Sequence, residues 1–567
     1  RVARETRFLG LWTSSAYHAN PGDIPVLRRK VTAVVQRAGY PHDSHAGKDL
    51  AAVLDTYPRD QLFQIGVDEL YETAIAIVQL QERKRVRLFL RADLTGQFVS
   101  ALVFAPRDRY TTTLRLRIAA ILGEAVHAIE AQWTTSVTDA PLARLHFVLR
   151  VAPGALDGVV TRALEARISV ASRSWSEEPR DALVAAVGVE GGPALARRWA
   201  DGFPPAYQDD VPATTAVADV LDLDTLERTG TTVLRLEAEQ SDGVMPFSVM
   251  SATQLPLSDL MPILANLGVR VVDEHPYVIE APSGAGQQRV RHLARFGIRS
   301  GAQGVDLAAS RDAFEEAFAA VLNGDAESDT FGALVLGASL GWREVALLRA
   351  YARYMRQIGT LFSYEYIASV LNTHADVAGA LVGYFRARFD PDITAGEREQ
   401  SQVVRRDELQ RMVDAVTSLD DDRILRGLTA LVDATLRTNW FQRDANGRAP
   451  SHIVYKLDPT RIPDVPRPVP TYEIFVYSPR VEGVHLRMGK VARGGLRWSD
   501  RREDFRTEVL GLVKAQTVKN AVIVPTGAKG GFVPKRLPPI SERDAWLAEG
   551  TDCYRTFVGG LLDVTDN

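Results

Sequence analysis

Apolar and polar residues alternate with two different periods along the chain, and the changes of period mark its segments. Residues 26–38 and 48–54 carry apolar positions at helical spacing, between turn signals such as Asn20-Pro21-Gly22-Asp23. Residues 67–83 repeat apolar side chains three and four apart, which predicts an amphipathic helix. Arg85–Arg91 then alternates charged and apolar side chains, the mark of a half-buried strand. A second strand, Gln97–Ala105, follows the turn Asp93-Leu94-Thr95-Gly96, residues 111–132 return to helical spacing, and Arg144–Val151 alternates again.

Residues 155–200 read as helices. Thr231–Ala238 reads as a strand, Ser258–Leu267 as a short helix closed by Gly268, and Val269–Asp273 and Tyr277–Ala281 as two strands split by His275-Pro276. That strand–helix–strand–strand order is similar to the small amino-acid-sensing modules called ACT domains, and the earlier unit resembles a small sensory or ferredoxin-like sheet. From about 308 to 441 helical spacing dominates, through Trp342–Ile358, Tyr364–Phe389, Arg405–Leu419 and Asp421–Asn439. Prolines at 459, 463, 466, 468 and 470 then stop it, and are expected to mark the start of a new domain.

Composition narrows the function classes. The chain has 567 residues, 46% apolar and 24% charged, with a formal charge of −4. This is the make-up of a globular protein with several domains, and it argues against nucleic-acid or membrane-surface binding. No run of 18 apolar residues suggests a membrane span; the longest, near Phe331–Trp342, is interrupted by glycine. The single cysteine, Cys553, excludes a disulfide framework and a multi-cysteine metal site, and suits a cytoplasmic location. No His/Asp/Glu set has metal spacing, and His146 and His275 fit core or surface positions in or beside strands. The chain opens on Arg1 without a methionine and stops at Asn567 soon after a glycine-rich motif, as expected of a piece of a longer protein.

The cations are unevenly distributed. The chain holds nine lysines, so 58 of its 67 basic residues are arginine, yet Lys490, Lys514, Lys519, Lys529 and Lys535 fall within 46 residues. Lysine can shed its proton at accessible pH and arginine effectively cannot, so clustered lysine is a candidate for proton chemistry. Between Arg480 and Arg536 thirteen Lys/Arg face five Asp/Glu, a local field suited to an anionic small molecule. After a strand at Tyr472–Tyr477, the pattern predicts a helix capped by Ser499 or Asp500, running from near Arg501 to about Val518 on an apolar stripe of Phe505, Val509, Leu512, Val513 and Ala515. Gln516 and Lys519 share a face near its end. A strand, Ala521–Val524, leads to an expected loop, Thr526–Gly531, whose glycines let backbone and ligand approach Lys529 closely. The loop is not a phosphate-binding Walker loop, because Gly527 is too close to Lys529 and no Ser/Thr follows the lysine.

These motifs (R-G-G-L-R-W, the helix ending Q-T-V-K, and P-T-G-A-K-G-G) resemble the substrate domain of the glutamate dehydrogenase family. The flanking RWSDRREDFRTEVLGL is similar to the large NAD-specific members from bacteria, whose long chains place regulatory sheet modules and helices before the catalytic domain. Residues 9–109, with PVLRRK, TYPRDQLFQI and LYETAIAIVQLQERKRVRLFLR, resemble the same subgroup. The resemblance implies that Lys529 is the catalytic lysine, that Lys519 binds the substrate α-carboxylate, that Gln516 contacts substrate, and that Gly494 and Gly495 are the family's glycine pair. Arg493 stands where many shorter members have a lysine for the side-chain carboxylate; it can grip a carboxylate bidentately, and Lys490 is placed to share that role. Lys514 and Lys535 have no assigned role. The implied reaction is NAD-dependent oxidative deamination of L-glutamate to 2-oxoglutarate and ammonia. No G-x-G-x-x-G follows a strand, and Gly332-x4-Gly337 lies in a helical region, so the catalytic aspartate and the NAD site are expected beyond Asn567.

The resulting expectation is a multidomain α+β and α/β chain. It comprises a helical, turn-rich region (1–60), an α+β sensory-like module (61–154), a helical connector (155–227), an ACT-like module (228–305), a helical region (306–445) and the first part of the substrate domain (446–567). Partners implied are glutamate or 2-oxoglutarate, an amino-acid effector, and further copies of the chain in a homo-oligomer, without nucleic acid or membrane. Two other readings stay open. One is a leucine or phenylalanine dehydrogenase, which shares the glycine–lysine loop but generally lacks a cation for a side-chain carboxylate. The other is a regulatory scaffold without turnover of its own.

Overall fold

A computed structural model of the chain describes residues 10, 13–80, 85–138, 140–172, 175, 177–240, 243–283, 287–301, 305–490, 492–520 and 527–565. It divides into two compact units, one of residues 1–200 with 212–217, the other of 201–211 with 218–567.

The first unit is built on a four-stranded antiparallel sheet, β1 (Arg87–Ala92), β2 (Phe98–Pro106), β3 (Glu130–Ser136) and β4 (Leu142–Arg150), in the order β1-β2-β4-β3. Alternation sorts its side chains between two cores. Val99, Ala101 and Val103 of β2 face the helix Thr112–Ala125 through Leu114, Ile118 and Leu122. Leu102 and Phe104 face the opposite way, into a core with Leu27, Leu50 and Leu70 of the N-terminal helices. The helix expected over 111–132 stops at Ala125, and β3 takes the remainder. The boundary is made by His127, a non-glycine residue at φ +49°, so no glycine announces it.

The second unit opens with a sheet of the same order: β5 (Val233–Leu236), β6 (Met245–Ser251), β7 (Val269–Ser283) and β8 (Gln287–Ser300) pair as β5-β6-β8-β7, with the helix Leu257–Asn266 between β6 and β7. The expected strand–helix–strand–strand order therefore gains β6 and β8. The two strands expected on either side of His275-Pro276 are one. Pro276 is tolerated because β7 is an edge strand, where a missing N–H need not face a partner. Gly268 closes the helix at φ +82°, as expected.

Helices then follow from Arg311–Leu322 to Leu419–Ala434. The helix expected over 421–439 ends at Ala434, and β9 (Thr435–Thr438) begins a six-stranded sheet. With β10 (Ile453–Leu457), β11 (Tyr472–Tyr477), β12 (Val481–Arg487), β13 (Arg493–Trp498) and β14 (Gly527–Pro534), its order is β13-β14-β12-β11-β10-β9. The proline stretch thus joins two strands of one sheet and does not begin a domain. Tyr351 of the helix Trp342–Gln357 stacks on Tyr455 of β10, with ring centroids 4.0 Å apart, and Tyr455 Oη donates to the Leu347 carbonyl at 2.9 Å. On the other face, Cys553 and Phe557 of the helix Arg543–Asp563 pack with Val454, Val476 and Phe532.

Candidate active site

The parallel pair β13–β14 is joined by the helix Phe505–Asn520. A parallel crossover runs its helix back along the strands, so the helix's last turn, with Gln516 and Lys519, returns to the end where both strands start. At that end Arg493 pairs with Gly527, Gly494 with Ala528 and Gly495 with Lys529. The topology thus gathers at one end of the sheet the backbone positions of every predicted site residue. The side chains of Arg493, Gln516 and Lys519, and the predicted strand Ala521–Val524 with Pro525 and Thr526, lie outside the described residues.

Lys529 is not in a loop. It is the third residue of β14, half-buried, flanked by Leu486 of β12 on one side and Gly495 on the other. A Cβ on Gly495 would lie 3.8 Å from Lys529 Nζ, so the ammonium reaches across the bare backbone of that glycine. The neighbouring glycines serve close packing, not a turn. A Cβ on Gly494 would fall 1.3 Å from the Ala528 carbonyl oxygen, one on Gly530 2.5 Å from Leu496 Cδ2, and one on Gly531 2.6 Å from Val509 Cγ2. Gly494→Ala is therefore expected to destabilise the second unit by roughly 3 kcal/mol. Gly511→Ala, on the exposed side of the helix with nothing within 4 Å of its new Cβ, should instead be neutral or mildly stabilising. Thermal melts of the two variants test the contrast, and equal midpoints would refute it.

The helix begins at Phe505, later than expected, and neither Ser499 nor Asp500 caps it. Ser499 Oγ instead donates to Glu508 Oε2 at 2.6 Å, tying the exit of β13 to the helix's first turn. The first turn is held from the helical region instead. Gln357 Oε1 accepts the Arg506 N–H at 3.1 Å, and its Nε2 donates to the carbonyls of Arg502 and Glu503 at 3.1 and 3.2 Å. Arg506 and Glu473 of β11 are both fully buried and joined by two hydrogen bonds, of 2.7 and 2.8 Å. The predicted stripe holds at Phe505, Val509 and Val513, whereas Leu512 is half-buried and Ala515 exposed. Gln357, Glu473 and Arg506 were missed by sequence reasoning. The one available signal was a glutamate inside the apolar strand YEIFVY.

Lys535 now has a structural role. Its buried Nζ lies 2.8 Å from Glu482 Oε1 and 3.0 Å from Glu327 Oε1, and Tyr477 Oη donates to Glu327 at 2.7 Å. Burial alone would raise the Glu327 pKa, but Lys535 and Arg353 hold it down at about 2. Lys514 and Lys490 are exposed. Among the described residues no group of three His, Cys, Asp or Glu could hold a metal ion, and no helix is long and apolar enough to cross a membrane.

Comparison with known proteins accounts for these parts together. The profile described as bacterial NAD-glutamate dehydrogenase, catalytic domain, matches residues 408–567. Glutamate dehydrogenase profiles match the rest in sequence: helical motif 1 (24–83), the ACT2 domain (87–176), helical motif 2 (182–226), the ACT3 domain (231–310) and helical motif 3 (326–391). Along its whole length the chain is 47% identical to the NAD-specific glutamate dehydrogenase of Pseudomonas aeruginosa and 45% identical to that of Halomonas elongata. It is 40% identical, over 99% of its length, to that of Mycobacterium tuberculosis. The chain belongs to the bacterial NAD-glutamate dehydrogenase family. It spans about a third of the length of these relatives, 35–36%. The ACT2 and ACT3 matches cover the two sheets of identical strand order. The catalytic match starts within the helix Ala395–Asp414 and so takes in β9 and β10 ahead of the prolines.

Proposed function

We propose that the protein carrying this chain catalyses the NAD-dependent oxidative deamination of L-glutamate to 2-oxoglutarate and ammonia. The observation that carries the reading is the Lys529 ammonium lying over Gly495 on a parallel strand pair whose crossover helix ends in Gln516 and Lys519. The names of the relatives, NAD-specific glutamate dehydrogenase, support both substrate and cofactor.

Among the described residues the one parallel strand pair is β13–β14, and its crossover carries no G-x-G-x-x-G. The roles proposed for this chain therefore concern the amino acid. Lys519 holds the α-carboxylate as a point charge. Arg493, with Lys490 beside it, holds the side-chain carboxylate, and Gln516 contacts the substrate. Gly494 and Gly495 keep the floor of the site free of side chains. Lys529 Nζ takes a proton from the water that attacks the iminium carbon and returns one to the departing amine, a task open to lysine and closed to arginine. The same reading gives the ACT modules a small-molecule effector and the protein a homo-oligomeric, cytoplasmic existence, and it keeps 446–567 as the start of the catalytic part.

Full-length protein should reduce NAD with glutamate and not with leucine or phenylalanine. Preference for leucine would replace the reading with that of another amino-acid dehydrogenase, and no turnover with any of them would favour the regulatory scaffold.

A further inference from the structure

The second unit contains a cavity of about 700 Å³ at the far end of β12 from Lys529, lined by Trp342, Arg343, Arg448, Ser451, Ser478 and Arg480 among others. Lys529 pairs with Leu486, six residues along β12 from Arg480, which sets the two places about 20 Å apart at the rise of an extended strand. The cavity is therefore separate from the candidate active site, and its size suits a small-molecule ligand.

Its most informative residue is Arg343. The fully buried arginines of this unit are ion-paired: Arg349 to Asp329 at 2.8 Å, and Arg506, although its Nη1 also has no acceptor, to Glu473 at 2.7 Å. Arg343 has no ion-pair partner among the described residues, and its buried Nη2 has no hydrogen-bond acceptor there. The guanidinium is nevertheless held in place over the Trp440 ring, 5.5 Å from its centroid. Burial, with Arg443 adding to it, pulls its pKa down to about 10. A fixed, half-desolvated guanidinium with an idle donor is a costly arrangement for a folded chain unless something supplies the acceptor. The other charges around the cavity do not supply it. Arg480 and Glu549 bond each other, with Nε–Oε1 at 3.0 Å, and His452 Nε2 lies 3.1 Å from Asp563 Oδ2. Asp325, also on the lining, is exposed, where its charge is screened by water. Arg448 is exposed and adds a second positive charge.

We propose that this cavity is a binding site for a small organic anion, a carboxylate or a phosphate ester, anchored by Arg343 and assisted by Arg448. Planar, bidentate recognition is what a guanidinium offers either group. No part of the proposed deamination accounts for the site, and its test does not depend on turnover.

The test is calorimetric titration of the full-length protein, at constant ionic strength, with citrate, inorganic phosphate and AMP. At least one probe is expected to bind once per chain, and the comparison of citrate with phosphate and AMP separates a carboxylate ligand from a phosphate one. Arg343→Gln should weaken that binding by about tenfold or more, the worth of a charge-assisted hydrogen bond lost from a desolvated site. Binding of none of the three, or equal affinity in the variant, overturns the proposal. If Arg343→Gln does not fold, the exposed Arg448→Gln decides: several-fold weaker binding supports the site, and unchanged affinity refutes it.

Discussion

Replacing Lys529 by alanine is expected to lower kcat for glutamate deamination by roughly a thousandfold, the usual worth of a positioned acid–base group. Lys529 lies on β14 between Leu486 and the bare backbone of Gly495, so its truncation leaves the strand pairing intact and takes away only the ammonium. Circular dichroism and the melting temperature should therefore stay close to those of the parent protein. Lys529→Arg separates charge from proton transfer. It keeps a cation at the site but cannot deprotonate at accessible pH, and should be nearly as inactive as alanine. Wild-type-like kcat in Lys529→Ala would remove the catalytic assignment. Recovery of activity in Lys529→Arg would reduce Lys529 to a charge.

Glu473→Ala should be the most destabilising single change in the catalytic sheet, costing about 3–5 kcal/mol, because it leaves the fully buried Arg506 guanidinium without its carboxylate. The damage should extend beyond stability. Arg506 sits in the first turn of the helix that ends in Gln516 and Lys519, and that turn is otherwise held by Gln357. A shift at one end of a packed helix moves the other, so KM for glutamate should rise along with the loss of stability. The double variant Glu473→Leu with Arg506→Met removes both charges and should recover most of the melting temperature. Denaturant melts and steady-state kinetics on the three proteins check this, and a Glu473→Ala protein as stable as its parent would refute the account.

Strands with strict alternation are readable in the sequence: Arg85–Arg91 and Arg144–Val151 appear as β1 and β4; burial alternates along β4, whereas in β1 Leu88 alone is buried. The motif spacing also led to one end of one sheet. What escaped was set by contacts distant in sequence or by residues in unusual places. β3 was hidden because His127 supplies the left-handed turn that glycine usually supplies. β7 reads as two strands because a proline at a sheet edge looks the same in sequence as one in a break. Gly-Ala-Lys-Gly-Gly resembles a turn in sequence and so places Lys529 in a loop, whereas Gly530 and Gly531 answer to Leu496 and Val509. The Gln357 and Glu473 contacts join residues 149 and 33 positions from Arg506, a distance no local pattern can bridge.

The proline-rich connector between β10 and β11 has a consequence for anyone dividing this protein. It reads as a natural place to cut, yet β10 and β11 are hydrogen-bonded neighbours, with Tyr455 opposite Phe475 and Val454 opposite Val476. Severing the chain there would put Tyr351, Tyr455 and their stack on one fragment and β11 to β14 on the other. Each fragment would then present a row of unpaired amides and carbonyls beside an uncovered apolar face, the two ingredients of edge-to-edge aggregation. The part of the chain after its most conspicuous punctuation is inseparable from the residues that precede it.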